Sequence, residues 1–498
     1  MSELRFARRE RRLILLALAA SLALSALSVW QDIIINSDGV LYLEAARAFG
    51  ESGVSDAFAI YRWPFYSWLI FLFAGASGIG LENSAHILDA LFFALIVFAF
   101  IALVRQLGGG YEVLVAAAIV LLAYAKLNEY RSFVVRDAGF WAFYLAAILL
   151  FLRNFKHARA GLGWAAAMLT ATLFRIEGMV FLLLLPLAYL FHRDLPASDR
   201  FKLVARAYVP HLALLAIAFA LYWLVDWREP GRLLDPLVYA DRLSGIGERI
   251  GGKAEALGSA VLTPYSDHWA LTALLWGLAG VLFTSIVHGI SLLYTALALH
   301  GVRKIETNRG VLAVLLYVVA LNVLILATHF ITSFFLTGRF TVALALVVML
   351  AVPFSVATLY RDFEQRKNRW IFPVVCVLIA YTAVDGFVSL SPSKDYLKEA
   401  GVWLKQNTAK DALIYAEDSR ISYYAEKRHD WNNSTNVLAD GKWEKYDYIA
   451  VEVGRKNPQR EAELVAAIGT EPAARFANKR NDRVLVFKLQ DSGLRTQD

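Results

Sequence analysis

From Leu13 onward the chain repeats one pattern, an apolar run followed by a short polar interval. The apolar runs fall at roughly 13–30, 84–104, 111–126, 138–152, 161–174, 178–191, 205–225, 269–299, 309–328, 338–359 and 370–388. Runs of about 18 or more apolar residues are the mark of membrane-crossing helices, so eleven such helices are expected. A further apolar run, Phe65 to Ile79, follows Arg62-Trp63-Pro64 and contains several glycines. It reads as an interfacial or re-entrant helix. From about Ser391 the apolar runs shorten and charge rises. Lys394 to Gln406 has the spacing of an amphipathic helix, with Tyr396, Leu397, Ala400, Trp403 and Leu404 on one face. Leu413 to Ala416, Tyr448 to Val453 and Val484 to Leu489 read as short strands, and Glu461 to Ile468 as a second helix. The expected fold class is mainly α: a polytopic membrane module over 1–390, with a first loop at about 31–83, and a small soluble α/β domain over 391–498.

Composition agrees with that pattern. The 498 residues are 58% hydrophobic, with a mean hydropathy of +0.49, above the roughly half-apolar balance of soluble domains. The net charge of +7 is concentrated in the intervals Arg5 to Arg12, Arg153 to Arg159, His192 to Arg206, Arg303 to Arg309 and Arg361 to Arg369. Positive intervals stay on the cytoplasmic side, so the charge sets orientation and gives no reason to expect nucleic acid. With a cytoplasmic N-terminus, all five intervals fall inside. A spanning helix at 65–79 would invert the later ones. The C-terminal domain is then extracytoplasmic, and the expected location is a bacterial inner or plasma membrane. The apolar stretch Leu13 to Val29 is long for a signal peptide and lacks a clean cleavage site, so an uncleaved first helix is expected. The one cysteine, Cys376, forms no intrachain disulfide.

This orientation gathers the unusual residues on the outer face. Asn36-Ser37-Asp38-Gly39-Val40-Leu41-Tyr42 follows the first span. Ser37 or Asp38 reads as the cap of a helix from Gly39 to Phe49, ended by Gly50. Asp38 reads equally as a general base at the bilayer edge, since a partly buried carboxylate can accept a proton from an attacking hydroxyl. Arg62, within Tyr61-Arg62-Trp63-Pro64-Phe65-Tyr66, is either an interface anchor or a phosphate ligand. Arg136 and Asp137 precede a span and read as an ion pair or as site residues. Arg175 and Glu177 sit between two apolar spans with almost no loop, an expensive place for charge unless they pair or face a polar cavity. His329 and Arg339 lie at a further span end, and an arginine there suits a phosphate. Other signatures fail. Gly247 to Ala254 resembles a phosphate loop but lacks its Ser/Thr and preceding strand. The sequence has no Asp-x-Asp, no zinc-type Cys/His cluster and no G-x-S-x-G.

The ordered set Asp38-Gly39-x-x-Tyr42, Arg62-x-Pro64-x-Tyr66, Arg136-Asp137, Arg175-x-Glu177-Gly178 and Gly338-Arg339-Phe340 resembles the GT-C superfamily of polytopic glycosyltransferases. It is most similar to the glycosyltransferase family 39 type, which includes protein O-mannosyltransferases and lipid A aminoarabinose transferases. That resemblance implies transfer of a sugar from a polyprenyl-phosphate donor to an acceptor on the outer side, with inversion. It implies Asp38 as base, with Asp137 matching the second acid. Tyr42, Arg62, Tyr66, Arg136, Arg175, Glu177, His329 and Arg339 are then the expected substrate-binding residues. The mannosyltransferases usually carry Asp-Glu where this chain has Asp38-Gly39, so their protein acceptor does not carry over. No cofactor is required, and a divalent cation is optional for a monophosphate leaving group. The expected partners are the polyprenyl-phosphate sugar, membrane lipids and an acceptor the sequence does not name. The alternatives are a transporter or flippase of lipid-linked sugars, and an O-antigen ligase or polymerase. A transporter would favour repeated halves, and a ligase would place its key residues in the late loop 226–268.

Overall fold

The computed structural model describes residues 6–32, 34–226, 245–386, 394–431 and 442–489. Helices follow the apolar runs: α1 Arg8–Gln31, α2 Ser37–Glu51, α3 Val54–Ile60, α4 Phe65–Ser77, α5 Leu81–Gln106, α6 Tyr111–Leu122, α7 Ala125–Asn128, α8 Arg136–Lys156, α9 Gly163–Phe174, α10 Gly178–Leu184 and α11 Ala197–Asp226. After them come α12 Ile246–Ala260, α13 Ala270–Ile290, α14 Leu292–Gly301, α15 Arg309–Ser333, α16 Gly338–Val348, α17 Val352–Glu364 and α18 Ile371–Asp385. The chain is an integral membrane protein, but the expected count of eleven crossings does not follow from helix length. Among the described residues, six helical stretches are long and apolar enough to cross a bilayer: Arg8–Gln31, Leu81–Gln106, Arg136–Lys156, Asp267–Ile290, Arg309–Ser333 and Gly338–Glu364. Several other runs form shorter apolar helices, among them Tyr111–Leu122 and Gly163–Phe174.

Local chemistry accounts for most departures from the expected boundaries. The run 269–299 is divided at Ser291, whose backbone turns to φ 74 and ψ 148 while its hydroxyl accepts from the Tyr294 N–H. Helix α4 has 13 residues, about 20 Å at 1.5 Å per residue, too short for a hydrocarbon core of about 30 Å. The phosphate-loop lookalike Gly247 to Ala254 lies inside α12. Helix α2 starts at Ser37 and runs through Gly50 to Glu51, not from Gly39 to Phe49. The N-cap position is Asn36, which makes no capping bond with its side chain.

The chain divides into two compact units. The first comprises 1–26, 88–131 and 136–387, and the second comprises 27–87, 132–135 and 388–498. In the first unit a buried arginine ties two segments together. Arg131 is 1% exposed and donates to Ser21 O (3.0 Å), Ser25 Oγ (2.8 Å) and Asn128 Oδ1 (2.8 Å), with its guanidinium 4.7 Å from the Phe93 ring centre. Ser21 and Ser25 are four residues apart, hence on one face of α1.

The second unit holds the C-terminal segment: α19 Asp395–Asn407, β1 Ile414–Ala416, α20 Ser419–Tyr424, β2 Tyr448–Val453, α21 Arg460–Ile468, β3 Ala474–Ala477 and β4 Arg483–Lys488. The sheet order is β1-β2-β4-β3, with β1 parallel to β2 and the other two pairs antiparallel. Helix α19 covers one face through Tyr396, Leu397, Ala400 and Leu404, the face read from its spacing. The other face packs on Leu464 and Ile468 of α21. The second unit also contains α2, α3 and α4, a grouping that composition along the chain does not mark.

Candidate functional site

In the first unit, three charged side chains meet where helices start and stop. Helix α8 begins at Arg136, so Arg136 and Asp137 occupy its first turn. Helix α9 ends at Phe174, and Arg175 turns extended at φ −145 and ψ 130. Glu177 then holds the N-cap position of α10. Gly178 permits this tight return, because a Cβ there would lie 2.9 Å from the Thr172 backbone. The Arg175 guanidinium is shared between two acids. Nη1 donates to Asp137 Oδ1, Nη2 donates to Glu177 Oε1, and Nε reaches Glu177 Oε2 at 3.2 Å. The side chains of Arg175 and Asp137 are 7% and 3% exposed. Arg136 lies near enough for its charge to act on Glu177. The pair therefore spans two helices, and the acid of α8 turns to Arg175 for its ion pair.

These groups border a small cavity of about 30 Å³. Arg175 and Glu177 line one side, and His329 of α15 and Arg339 of α16 line the other. Phe340 links them. Its ring lies 4.2 Å from that of His329, 4.8 Å from the Arg175 guanidinium and 5.5 Å from that of Arg339. Asn322 also reaches the cavity wall and donates to the Tyr144 hydroxyl at 2.6 Å. Arg339 at the cavity and Arg136 beside the acids add positive charge to the two carboxylates that Arg175 engages. Such a site suits an anion, and the planar guanidinium matches phosphate oxygens. Six candidates thus share this part of the first unit: Arg136, Asp137, Arg175, Glu177, His329 and Arg339.

The other four lie in the second unit. Asp38 is half-buried in the first turn of α2, where helix-start N–H groups favour an acidic side chain. The Asn36 side chain is engaged across the chain, donating to Val134 O (3.2 Å) and accepting from Val134 N (2.8 Å). Gly39 is needed for that approach. A Cβ there would lie 2.8 Å from Asn36 Oδ1 and 3.0 Å from Val134 Cβ. Tyr42 and Tyr66 are 4% and 1% exposed, with rings meeting edge-on at 5.4 Å. They join α2 to α4. Arg62 is exposed just before α4.

Sequence comparison finds no matching family model and no matching curated protein. Comparison of folds does find matches. The apo crystal structure of the Archaeoglobus fulgidus oligosaccharyltransferase aligns at a TM-score of 0.51 and 14% identity, over 92% of this chain and 71% of that one. This chain shares the fold of that enzyme, a GT-C-like helical bundle. The same enzyme tethered to an acceptor peptide containing the NVT sequon aligns at 0.49 and 14% identity, over 97% and 74% of the two chains. Apo ArnT from Cupriavidus metallidurans gives 0.47 and 14%, over 95% and 97%. On this shared scaffold the chemistry must be argued from the chain's own side chains.

Some of those side chains escaped the sequence reading. Asn322 is a lone amide in a 25-residue apolar helix, and a polar residue in such a place was the available signal. Glu44 is 6% exposed and lies within α2 with no neighbouring motif to mark it. It accepts from His429 N at 3.0 Å and from Trp431 Nε1 at 2.6 Å. No local pattern announces partners that far along the chain.

Proposed function

We propose that this chain is a membrane glycosyltransferase that moves a sugar from a polyprenyl-phosphate-linked donor to a lipid, glycan or protein acceptor on the extracytoplasmic face. The observation that carries this reading is the buried Asp137–Arg175 pair, joined by the half-buried Glu177, beside a cavity that also presents Arg339 and His329. The GT-C fold agrees with it. An acceptor hydroxyl attacks the anomeric carbon, and the bond from that carbon to the phosphate oxygen breaks with inversion. The polyprenyl phosphate departs with the electron pair, and Asp38 takes the hydroxyl proton. Arg339 and His329 stabilise charge growing on the leaving phosphate, a preorganised electrostatic effect often larger than any other catalytic contribution.

Arg175 fits the role of counter-ion, since its donors already serve two carboxylates. It fixes Asp137 and Glu177, while Arg136 adds positive charge at the same place. Arg62 offers an exposed cation for a lipid headgroup, and Tyr42 and Tyr66 set the helix that carries Asp38. A divalent cation is optional for a monophosphate leaving group. Asp137 and Glu177 are both engaged by Arg175, so a cation there would have to share them. Assay of transfer with and without EDTA decides the point: loss of transfer that one cation restores makes that cation part of the reaction, and unchanged transfer leaves it out.

The direct test uses membranes containing the full chain and a radiolabelled polyprenyl-phosphate sugar. Wild type should yield a labelled product, and Asp38→Asn at equal abundance should yield none. The lipid-linked sugar that accumulates in cells lacking the protein identifies the donor. Movement of that lipid across the bilayer with no covalent product would favour a flippase and sink this reading.

A further inference from the structure

The C-terminal segment grips α2 along its whole length. Before the helix, the Tyr424 hydroxyl accepts from the Ile35 N–H at 3.0 Å. At its middle, the buried Glu44 carboxylate accepts from His429 N and Trp431 Nε1. At its end, Arg428 donates to Glu51 Oε2 (3.3 Å) and Ser52 Oγ (3.2 Å). The gripping segment is itself braced, because Ser422 Oγ and His429 Nδ1 are 3.1 Å apart. Of the three points, Glu44 alone places an ionisable group in a buried position. A buried carboxylate is costly unless its oxygens are satisfied, and here a backbone donor and an indole donor supply that satisfaction.

We infer that Glu44 is a positioning residue for sugar transfer: its clamp by His429 and Trp431 lets the C-terminal domain fix the helix whose first turn carries Asp38. The inference rests on the function proposed above. It gives the C-terminal domain a task in catalysis besides any contact with an acceptor. Glu44 does not touch the reacting atoms and acts through the placement of Asp38. Small errors in placing a catalytic group cost about 10- to 100-fold in rate, so losing the clamp should appear in kcat.

The test compares full-length wild type, Glu44→Gln, Glu44→Asp, Trp431→Phe and the double variant Glu44→Gln/Trp431→Phe. Glu44→Gln should lower kcat about 10-fold or more with the donor KM unchanged. Trp431→Phe should lower kcat less, and the double variant should be no worse than Glu44→Gln alone, because both remove one clamp. Glu44→Asp keeps the charge and should recover part of the rate. Hydrogen exchange of residues 37–51 should speed up in Glu44→Gln while the rest of the second unit stays protected. Wild-type kcat in Glu44→Gln would overturn the inference. So would a loss of kcat that follows general unfolding, or exchange at 37–51 that does not change. The exchange result needs no activity. If it holds while Asp38→Asn keeps full activity, the clamp stands as a structural contact and the catalytic reading of Asp38 fails.

Discussion

Arg175 holds two acids at once, and its three donor bonds need the planar fork of a guanidinium. Arg175→Ala would leave Asp137 buried without its cation. Breaking a buried pair in this way costs about 3–5 kcal/mol, so thermal melting in detergent should show a large loss. Arg175→Lys should recover only part of it, because one ammonium cannot reach both carboxylates with the same geometry. Recovery to wild-type stability would show that charge alone matters there. At Glu44 the burial of the carboxyl pushes its pKa up from 4.5, against the opposing bonds from Trp431 and His429 and the charges of Arg47 and Arg428. The folded protein therefore binds that proton more tightly than the unfolded chain. The resulting stability is complete below pH 4.5 and is lost as pH rises through the raised value. Thermal melting of wild type against Glu44→Gln across this range should show wild type losing ground as pH rises. A flat difference would rule the linkage out. Arg175, Glu177, His329 and Arg339 were legible as candidates because charge or imidazole stands out beside apolar spans. Glu44 was not, since an acid on an amphipathic helix is ordinary until its distant partners are known.

At the scale of elements, helices were legible and their interruptions were not. Apolar length marks a helix, but it does not mark Ser291, where one residue at positive φ splits a run read as continuous. A non-glycine residue in that backbone region carries strain of about 1–3 kcal/mol. Both Ser291→Gly and Ser291→Val remove the hydroxyl that accepts from Tyr294, a loss of only a few tenths of a kcal/mol for a glycine cap; Ser291→Gly also relieves the backbone strain and should raise the melting temperature, whereas Ser291→Val keeps the strain and should lower it. The start of α2 makes the complementary case. An Asn-Ser-Asp-Gly string suggests a side-chain cap, yet Asn36 spends its amide on Val134. Gly39 lies against that contact, so Gly39→Ala should destabilise the second unit and Gly39→Glu more so, as read by hydrogen exchange across residues 34–51. An unchanged Gly39→Glu protein would mean that the segment around Val134 yields readily.

For the whole molecule, sequence pattern marks a membrane module followed by a soluble tail, while the packed units follow long-range contacts that a linear reading has no means of seeing. Residues 27–87 and 132–135 join the C-terminal segment through bonds such as Tyr423 to Glu82 at 2.7 Å, hundreds of residues apart in the chain. The proposed chemistry also depends on a global property, the side of the membrane that this second unit faces. The positive-inside rule applied to the basic intervals predicts the outer side for it, and the single native cysteine makes that measurable. Cys376 is exposed on α18 and would be replaced by serine first. In that background, Lys410→Cys places a thiol on an exposed position after α19, and Lys367→Cys places one on an exposed position after α17. A membrane-impermeant maleimide added to intact cells, with the outer membrane made leaky where there is one, should label position 410 and leave 367 unlabelled until the inner membrane is opened. The reverse pattern would put α2 and Asp38 on the cytoplasmic side and remove the basis for extracytoplasmic transfer. Labelling of both positions in intact cells would mean that the basic interval 361–369 does not stay inside, and the assignment of spans would have to change before any mechanism.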